Sequence, residues 1–365
     1  MSTRVTNALD RALEAVPNPV AAVIAVALFL FAVQLLGAAT QSAAPVISEL
    51  FHRFVVGDAS ALGLGWLGAY VVANGSVVAA LAVSLFTAEI VSPTQLFLLL
   101  AGSRLGAVAV VVFIGALDWL QKKRYTLRKS IRMGLLTFTL THSIYLPVTV
   151  IGYLTLPVLQ KPLLTVSHGW GTIGFQSLAV FGPVMAAITW FLGPTIGVLA
   201  GMSLLVASLN LFDRVLAQVD INVLRTTVFD RLSNPAPAFV IGLLITGVTT
   251  SIAFSLGVIV PLYNRGYIER DELIPYVLGA NIGTLVDTLL VAVVLGSTGG
   301  IAIVLHLLVI AALVTAIALV ALPVYTRAIV AFDQRLVDDR RAFLVFMTSL
   351  VVVPLLFFIG PILIG

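Results

Sequence analysis

The sequence predicts an all-α polytopic membrane protein made of two inverted repeats, each with a re-entrant helical hairpin and a broken transmembrane helix. Three observations lead there. The chain has 365 residues, of which 60% are hydrophobic and only 10% charged, whereas a soluble domain is about a quarter charged. Apolar runs long enough to cross a bilayer recur along it. Finally, each half carries a glycine-broken apolar hairpin followed by a glycine-broken apolar segment: VVANGSVVAALAVSLF (71–86) with GSRLGAVAVVV (102–112), and GVTTSIAFSLGVIVPL (247–262) with GANIGTLVDTLL (279–290).

Taken in order, residues 1–18 are mixed polar and read as a cytoplasmic amino-terminal segment. No small-residue cleavage pattern follows the first apolar run, so 19–39 reads as a retained first helix. Further spans are expected at 94–120, 134–157, 193–213, 272–296, 299–325 and 343–363. Two more stretches, 61–90 and 236–263, are interrupted at Ala73-Asn74-Gly75-Ser76 and at Gly247-Val248-Thr249-Thr250-Ser251. Each arm rises about 15 Å, half the bilayer core, so both read as re-entrant hairpins. The first repeat is thus 19–157, with hairpin 61–90 and broken helix 94–120. An inter-repeat connection covers 158–192. The second repeat is 193–325, with hairpin 236–263 and broken helix 272–296, and 326–365 is a loop plus a final helix. Whether 172–190 spans stays open. Residues 211–232 read as an interfacial amphipathic helix, with Phe212, Val215, Leu216, Val219 and Val223 at helical spacing.

Orientation follows from basic residues. The loop 121–132 holds Lys122, Lys123, Arg124, Arg128, Lys129 and Arg132 and no acid, and 326–342 holds Arg327, Arg335, Arg340 and Arg341. Both are expected inside, with the amino terminus. The hairpins then enter from opposite sides, provided an odd number of crossings lies between 157 and 213. Cysteine is absent, which excludes disulfides and thiolate chemistry. No nucleophile elbow, HExxH, catalytic carboxylate pair or P-loop is present, so neither an enzyme nor an ATP-driven pump is indicated. Nothing supports nucleic-acid binding.

Several residue groups could carry chemistry. In Gly279-Ala280-Asn281-Ile282-Gly283-Thr284 the glycines allow the backbone to unwind and expose carbonyls to a cation, with Asn281 and Thr284 as oxygen ligands; the alternative is close helix packing by small residues. The tips Thr249-Thr250-Ser251 and Asn74-Gly75-Ser76 offer hydroxyls and free amides to an anion or an ion shell, or simply cap their own helices. Arg104 and Asp287 are charges inside apolar segments, where charge is costly and is usually functional or paired. Arg104 has the planar fork suited to an oxyanion, with Ser103 beside it, and Asp287 suits a cation or a proton. Equally, the two could pair with each other, arginine standing in for a bound ion. His142 and His306 are lone on apolar helices and read first as packing residues.

With these motifs in view, the chain resembles the sodium–phosphate cotransporter family (type II and bacterial relatives). That family carries two QSSS hairpins, each followed by a GANIGT broken helix. The likeness is greatest over 236–296, where PLYNRGYIERDELIPYVLGANIGT (261–284) keeps GANIGT intact. The QSSS tetrads fall on Ala73-Asn74-Gly75-Ser76 and Thr250-Ser251-Ile252-Ala253. The first GANIGT falls on Gly102-Ser103-Arg104-Leu105-Gly106-Ala107, with arginine in place of asparagine. The resemblance implies a multi-pass protein of the cell membrane that moves inorganic phosphate or a related small anion by alternating access. It implies sodium as coupling ion, at Asn281, Thr284 and Ser251, and no other cofactor. The expected partners are the anion and membrane lipid, with a homodimer as one assembly. The open alternatives are a transporter of this fold without sodium coupling (proton-coupled, or moving a different solute) and a non-transporting scaffold or sensor.

Overall fold

Helix starts in this chain are written locally. Ser92 opens a helix at Pro93 by a capping box: its hydroxyl accepts from the Gln95 amide at 3.2 Å, and the Gln95 side chain accepts from the Ser92 amide at 2.9 Å. Asn74 opens another, its Oδ1 accepting from the amides of Ser76 and Val77. Ser297 opens a third by accepting from Gly300 N.

The computed structural model describes residues 18–109, 112–113, 127–171, 181–217, 232–250, 255, 259 and 270–364. These form α1 (Asn18–Ser42), α2 (Ala44–Phe54), α3 (Asp58–Val72), α4 (Gly75–Thr87), α5 (Pro93–Ala107), α6 (Leu127–Gly171), α7 (Gly182–Leu192), α8 (Pro194–Ala217), α9 (Pro235–Thr249), α10 (Arg270–Gly283), α11 (Leu285–Val294), α12 (Thr298–Val320), α13 (Leu322–Asp338) and α14 (Arg340–Ile364). No strand occurs among the described residues. Among the described residues, six helices are long and apolar enough to cross a membrane, and a seventh span is formed if α2 and α3, bent by 108° at their junction, count as one. Large apolar side chains such as Val320, Leu363 and Trp190 lie outside, about four-fifths exposed. That is the surface of a protein whose solvent is lipid.

The main packing partners are α3 with α5, α9 with α10, α1 with α8, and α6 with α12. Two of these contacts are backbone to backbone. Gly102 of α5 lies on the main chain of α3 at Leu62 and Trp66, and Gly279 of α10 lies on the main chain of α9 at Phe239 and Leu243. One turn on, Gly106 meets Trp66 and Ala69 while Gly283 meets Leu243, Thr246 and Gly247. Gly247 aside, every member of the second set lies the same number of residues downstream of its counterpart. The same offset relates Ala73 to Thr250, the residues that end α3 and α9, both left-handed with φ of 55°.

The first expected hairpin is a helix–break–helix unit. Gly68 of α3 faces Val78 of α4. Ten residues apart on a continuous helix would be about 15 Å, so the chain folds back at Ala73-Asn74. Only the first arm of the second hairpin, α9 with its cap Thr250, is described; Ser251 and most of 251–263 lie outside the described residues. So do the basic loop 121–132 up to residue 126, the amino-terminal segment 1–17, residues 172–180, and residues 218–231 of the stretch 211–232.

Four local expectations change. Residues 326–342 are mostly helix rather than loop, because Ile329, Asp333 and Leu336 of α13 share a buried stripe. Residues 211–217 continue α8 instead of starting a separate helix. The span expected at 134–157 runs on in α6 to Gly171 despite Pro147, Pro157 and Pro162; Lys161 and His168 therefore sit on an exposed part of that helix, not in a loop. The fourth concerns GANIGT. The helix is interrupted only at Thr284, which keeps right-handed dihedrals (φ −65°, ψ −13°) and whose amide still donates to Ala280 O at 3.1 Å. Gly279 and Gly283 seat α10 against α9 and leave the backbone wound.

Candidate functional site

The two halves meet in a buried polar cluster where α5 faces the α10–α11 junction. Arg104 comes from the last turn of α5. Its Nη1 donates to the main-chain oxygen of Thr284 at 2.9 Å, and its Nη2 to Thr288 Oγ1 at 3.3 Å. Its nearest approach to Asp287 Oδ1 is 4.0 Å. Thr288 passes the contact on, donating to Asp287 Oδ1 at 2.9 Å. Arg104 is 4% exposed and Asp287 1%. Two opposite charges this far from solvent stabilise each other strongly, because little water screens them and neither tolerates burial alone. Asp287 Oδ2 has no hydrogen-bond partner among the described residues, and Ser76 of α4 reaches toward the same carboxylate.

Asn281 stands on the other side of the junction and is clasped by α6. Thr141 donates to its Oδ1 and Tyr145 to its main-chain oxygen, each at 2.8 Å. Thr284 Oγ1 donates to the same main-chain oxygen at 2.8 Å, so that carbonyl takes two donors. The Asn281 Nδ2 is buried and has no hydrogen-bond partner among the described residues. By the offset that relates the glycines, Asn281 is the counterpart of Arg104.

The hairpin tips are built differently from each other. Asn74 spends its side-chain oxygen on the amides of Ser76 and Val77, so it caps α4. Thr250 closes α9 in the left-handed region, and its buried hydroxyl makes no hydrogen bond among the described residues. Thr249 is buried beside it. Ser103 turns its hydroxyl back to Leu100 O at 2.8 Å. Of the residues singled out from sequence, the structure brings Arg104, Asn281, Gly283, Thr284 and Asp287 together, with Ser76 at the edge. Tip 249–250 lies one helix away: Thr246 packs on Gly283 and is tied through Ser255 to Tyr276 of α10, at 2.8 and 2.7 Å.

The histidines are packing residues. His142 stacks on Phe138, and its Nδ1 donates to Phe138 O at 3.0 Å. The His306 Nε2 donates to Gly152 O at 2.9 Å, beside Phe97. What the sequence reading missed are the second residues of each contact: Thr288, Thr141 and Tyr145. Thr288 follows Asp287 directly and lies one turn after Thr284. Thr141 and Tyr145 lie one turn apart on α6, so helical spacing from known members was the available signal.

Two comparisons with known proteins find matches to this chain. The sequence profile of the family described as Na+/Pi-cotransporter matches residues 204–334, which include α9 to α12 and the GANIGT junction. The sodium-dependent phosphate transport protein 2A of Rattus norvegicus and that of Mus musculus are each 39% identical to this chain over 61 residues. The Ovis aries protein of the same name is 38% identical over 61 residues. The shared stretch is 17% of this chain and 10% of the length of each of these relatives. No solved structure matches the chain.

Proposed function

We propose that the chain is a member of the Na+/Pi-cotransporter family, whose profile matches residues 204–334, and that it is a secondary transporter moving inorganic phosphate or a related small oxyanion with sodium. The observation that carries this reading is the meeting of α5 with the α10–α11 junction, where each half contributes a polar group to a buried site inside an apolar bundle. Polar groups at such depth are expensive and mark substrate or ion routes. The equal offset between the two glycine sets supports two structural repeats, which we read as inverted, with the amino terminus in the cytoplasm of a cell-membrane protein. Each hairpin would then enter and leave on its own side. The anion would sit between the tips Asn74-Gly75-Ser76 and Thr249-Thr250-Ser251, with Ser103 behind the first. Sodium would use oxygen atoms near Asn281, Ser251 and the Thr284 hydroxyl, the Thr284 main-chain oxygen being engaged by Arg104. Alternating access would come from one repeat rocking against the other.

A second reading is favoured by Asn74. Its oxygen is committed to the start of α4, leaving that tip poor in free ligands. A protein of this fold that carries another solute, couples to protons or does not transport would tolerate such a tip.

Uptake of radiolabelled phosphate into proteoliposomes, with and without an inward sodium gradient, separates the two. Sodium-dependent uptake is expected. Folded protein that takes up no phosphate under either condition overturns the first reading in favour of the second.

A further inference from the structure

We propose that Arg104 is a tethered cation, its guanidinium holding the position of one mobile coupling ion at the α10–α11 junction. The inference deepens the transport reading and rests on it for treating the junction as an ion position.

The Arg104 guanidinium faces three oxygen atoms. They are a main-chain carbonyl (Thr284 O, 2.9 Å), a hydroxyl (Thr288 Oγ1, 3.3 Å) and a carboxylate (Asp287 Oδ1, 4.0 Å). All are oxygens, of the three kinds that bind small hard cations, and they converge at the α10–α11 junction although its backbone stays wound. A guanidinium only donates hydrogen bonds and never loses its charge in a protein. It therefore satisfies these oxygens as a cation does, but cannot leave.

Charge accounting points the same way. The counterpart of Arg104 in the other half is Asn281, a neutral residue held by Thr141 and Tyr145. Arginine adds one positive charge to the junction at a depth of 4% exposure, and Asp287, 1% exposed, carries the balancing negative charge. A sodium ion entering the same oxygens would find its ligands engaged and a like charge within a few ångströms, in a site where Coulomb terms are weakly screened. The first half thus supplies from its own side chain what solvent would otherwise supply, and this position drops out of the ion stoichiometry.

The test counts sodium. Equilibrium binding of radiolabelled sodium is measured on purified wild type, Arg104→Ala and Arg104→Asn, with choline as the replacement cation. Melting temperature is followed in the same two salts. Each variant is expected to bind one more sodium ion per chain than wild type and to gain a sodium-specific rise in melting temperature that wild type lacks. Equal sodium binding by wild type and folded variants overturns the proposal. So does failure of both variants to fold in sodium as well as in choline, since no ion then replaces the side chain. The sodium count needs neither phosphate nor transport. A wild type that moves no phosphate counts against the transport reading, and the sodium count alone decides this one.

Discussion

Arg104 of α5 donates to the main-chain oxygen of Thr284 at the α10–α11 junction, 180 residues away in sequence and 2.9 Å away in space. This bond joins the two halves at the point where each carries its glycine-flanked motif. It also holds the guanidinium near Asp287 without the close bidentate geometry of an ideal ion pair; Thr288 bridges the gap.

Removing one charge should therefore cost far more than removing both. In choline, Arg104→Met is expected to destabilise the protein by about 3–5 kcal/mol, because Asp287 is left charged and buried. Adding Asp287→Asn should restore a large part of that loss. A double-mutant cycle on melting temperature checks it, and additive effects would show that the two side chains do not interact.

Close backbone contact makes a second expectation specific. A Cβ on Gly283 would come 2.6 Å from Leu243 O, and one on Gly279 would collide with Phe239 O. Main-chain atoms cannot rotate aside, so Gly279→Ala and Gly283→Ala should each lose about 1–3 kcal/mol. Gly360→Ala, where nothing lies within 4 Å of the added atom, is the control. Yield and melting temperature in detergent measure the difference, and a harmless Gly279→Ala would mean α9 and α10 do not touch there.

Ala73 and Thr250 both occupy the left-handed region at φ of 55°, which glycine enters without steric cost. Ala73→Gly and Thr250→Gly should each raise stability by about 0.5–1 kcal/mol. Thr250→Gly also deletes a buried hydroxyl that makes no hydrogen bond among the described residues. A fall in melting temperature for Thr250→Gly would instead assign that hydroxyl a partner in the assembled site.

For transport, the histidines provide a negative expectation. His142 and His306 each donate one ring nitrogen to a helix carbonyl and pack on an aromatic ring. His142→Gln and His306→Gln should leave the pH profile of phosphate uptake between about pH 6 and 8 unchanged in shape. Loss of the wild-type pH dependence in either variant would make that histidine a proton carrier.

The sequence alone determined the solvent, the helical class and some of the places where helices start and stop. These are local or compositional properties. Apolar run length defines a span, Ser92 with Gln95 defines a cap, and Asn74 or Thr250 defines a break within a few residues of itself. The amphipathic α13 was missed because its charged residues dominate the composition of 326–342, while its buried stripe of Ile329, Asp333 and Leu336 is seen only at helical spacing. GANIGT shows the limit most clearly. The same glycines permit an unwound helix or a tightly packed one, and nothing within the motif chooses. The choice is made by α9, whose main chain lies where a side chain would otherwise be. Likewise, Arg104 and Asp287 were each conspicuous in an apolar segment, but a buried charge specifies only that it needs a partner. Which partner it finds depends on how α5 is set against α11, a distance fixed by the packing of both halves together and by no stretch of either one.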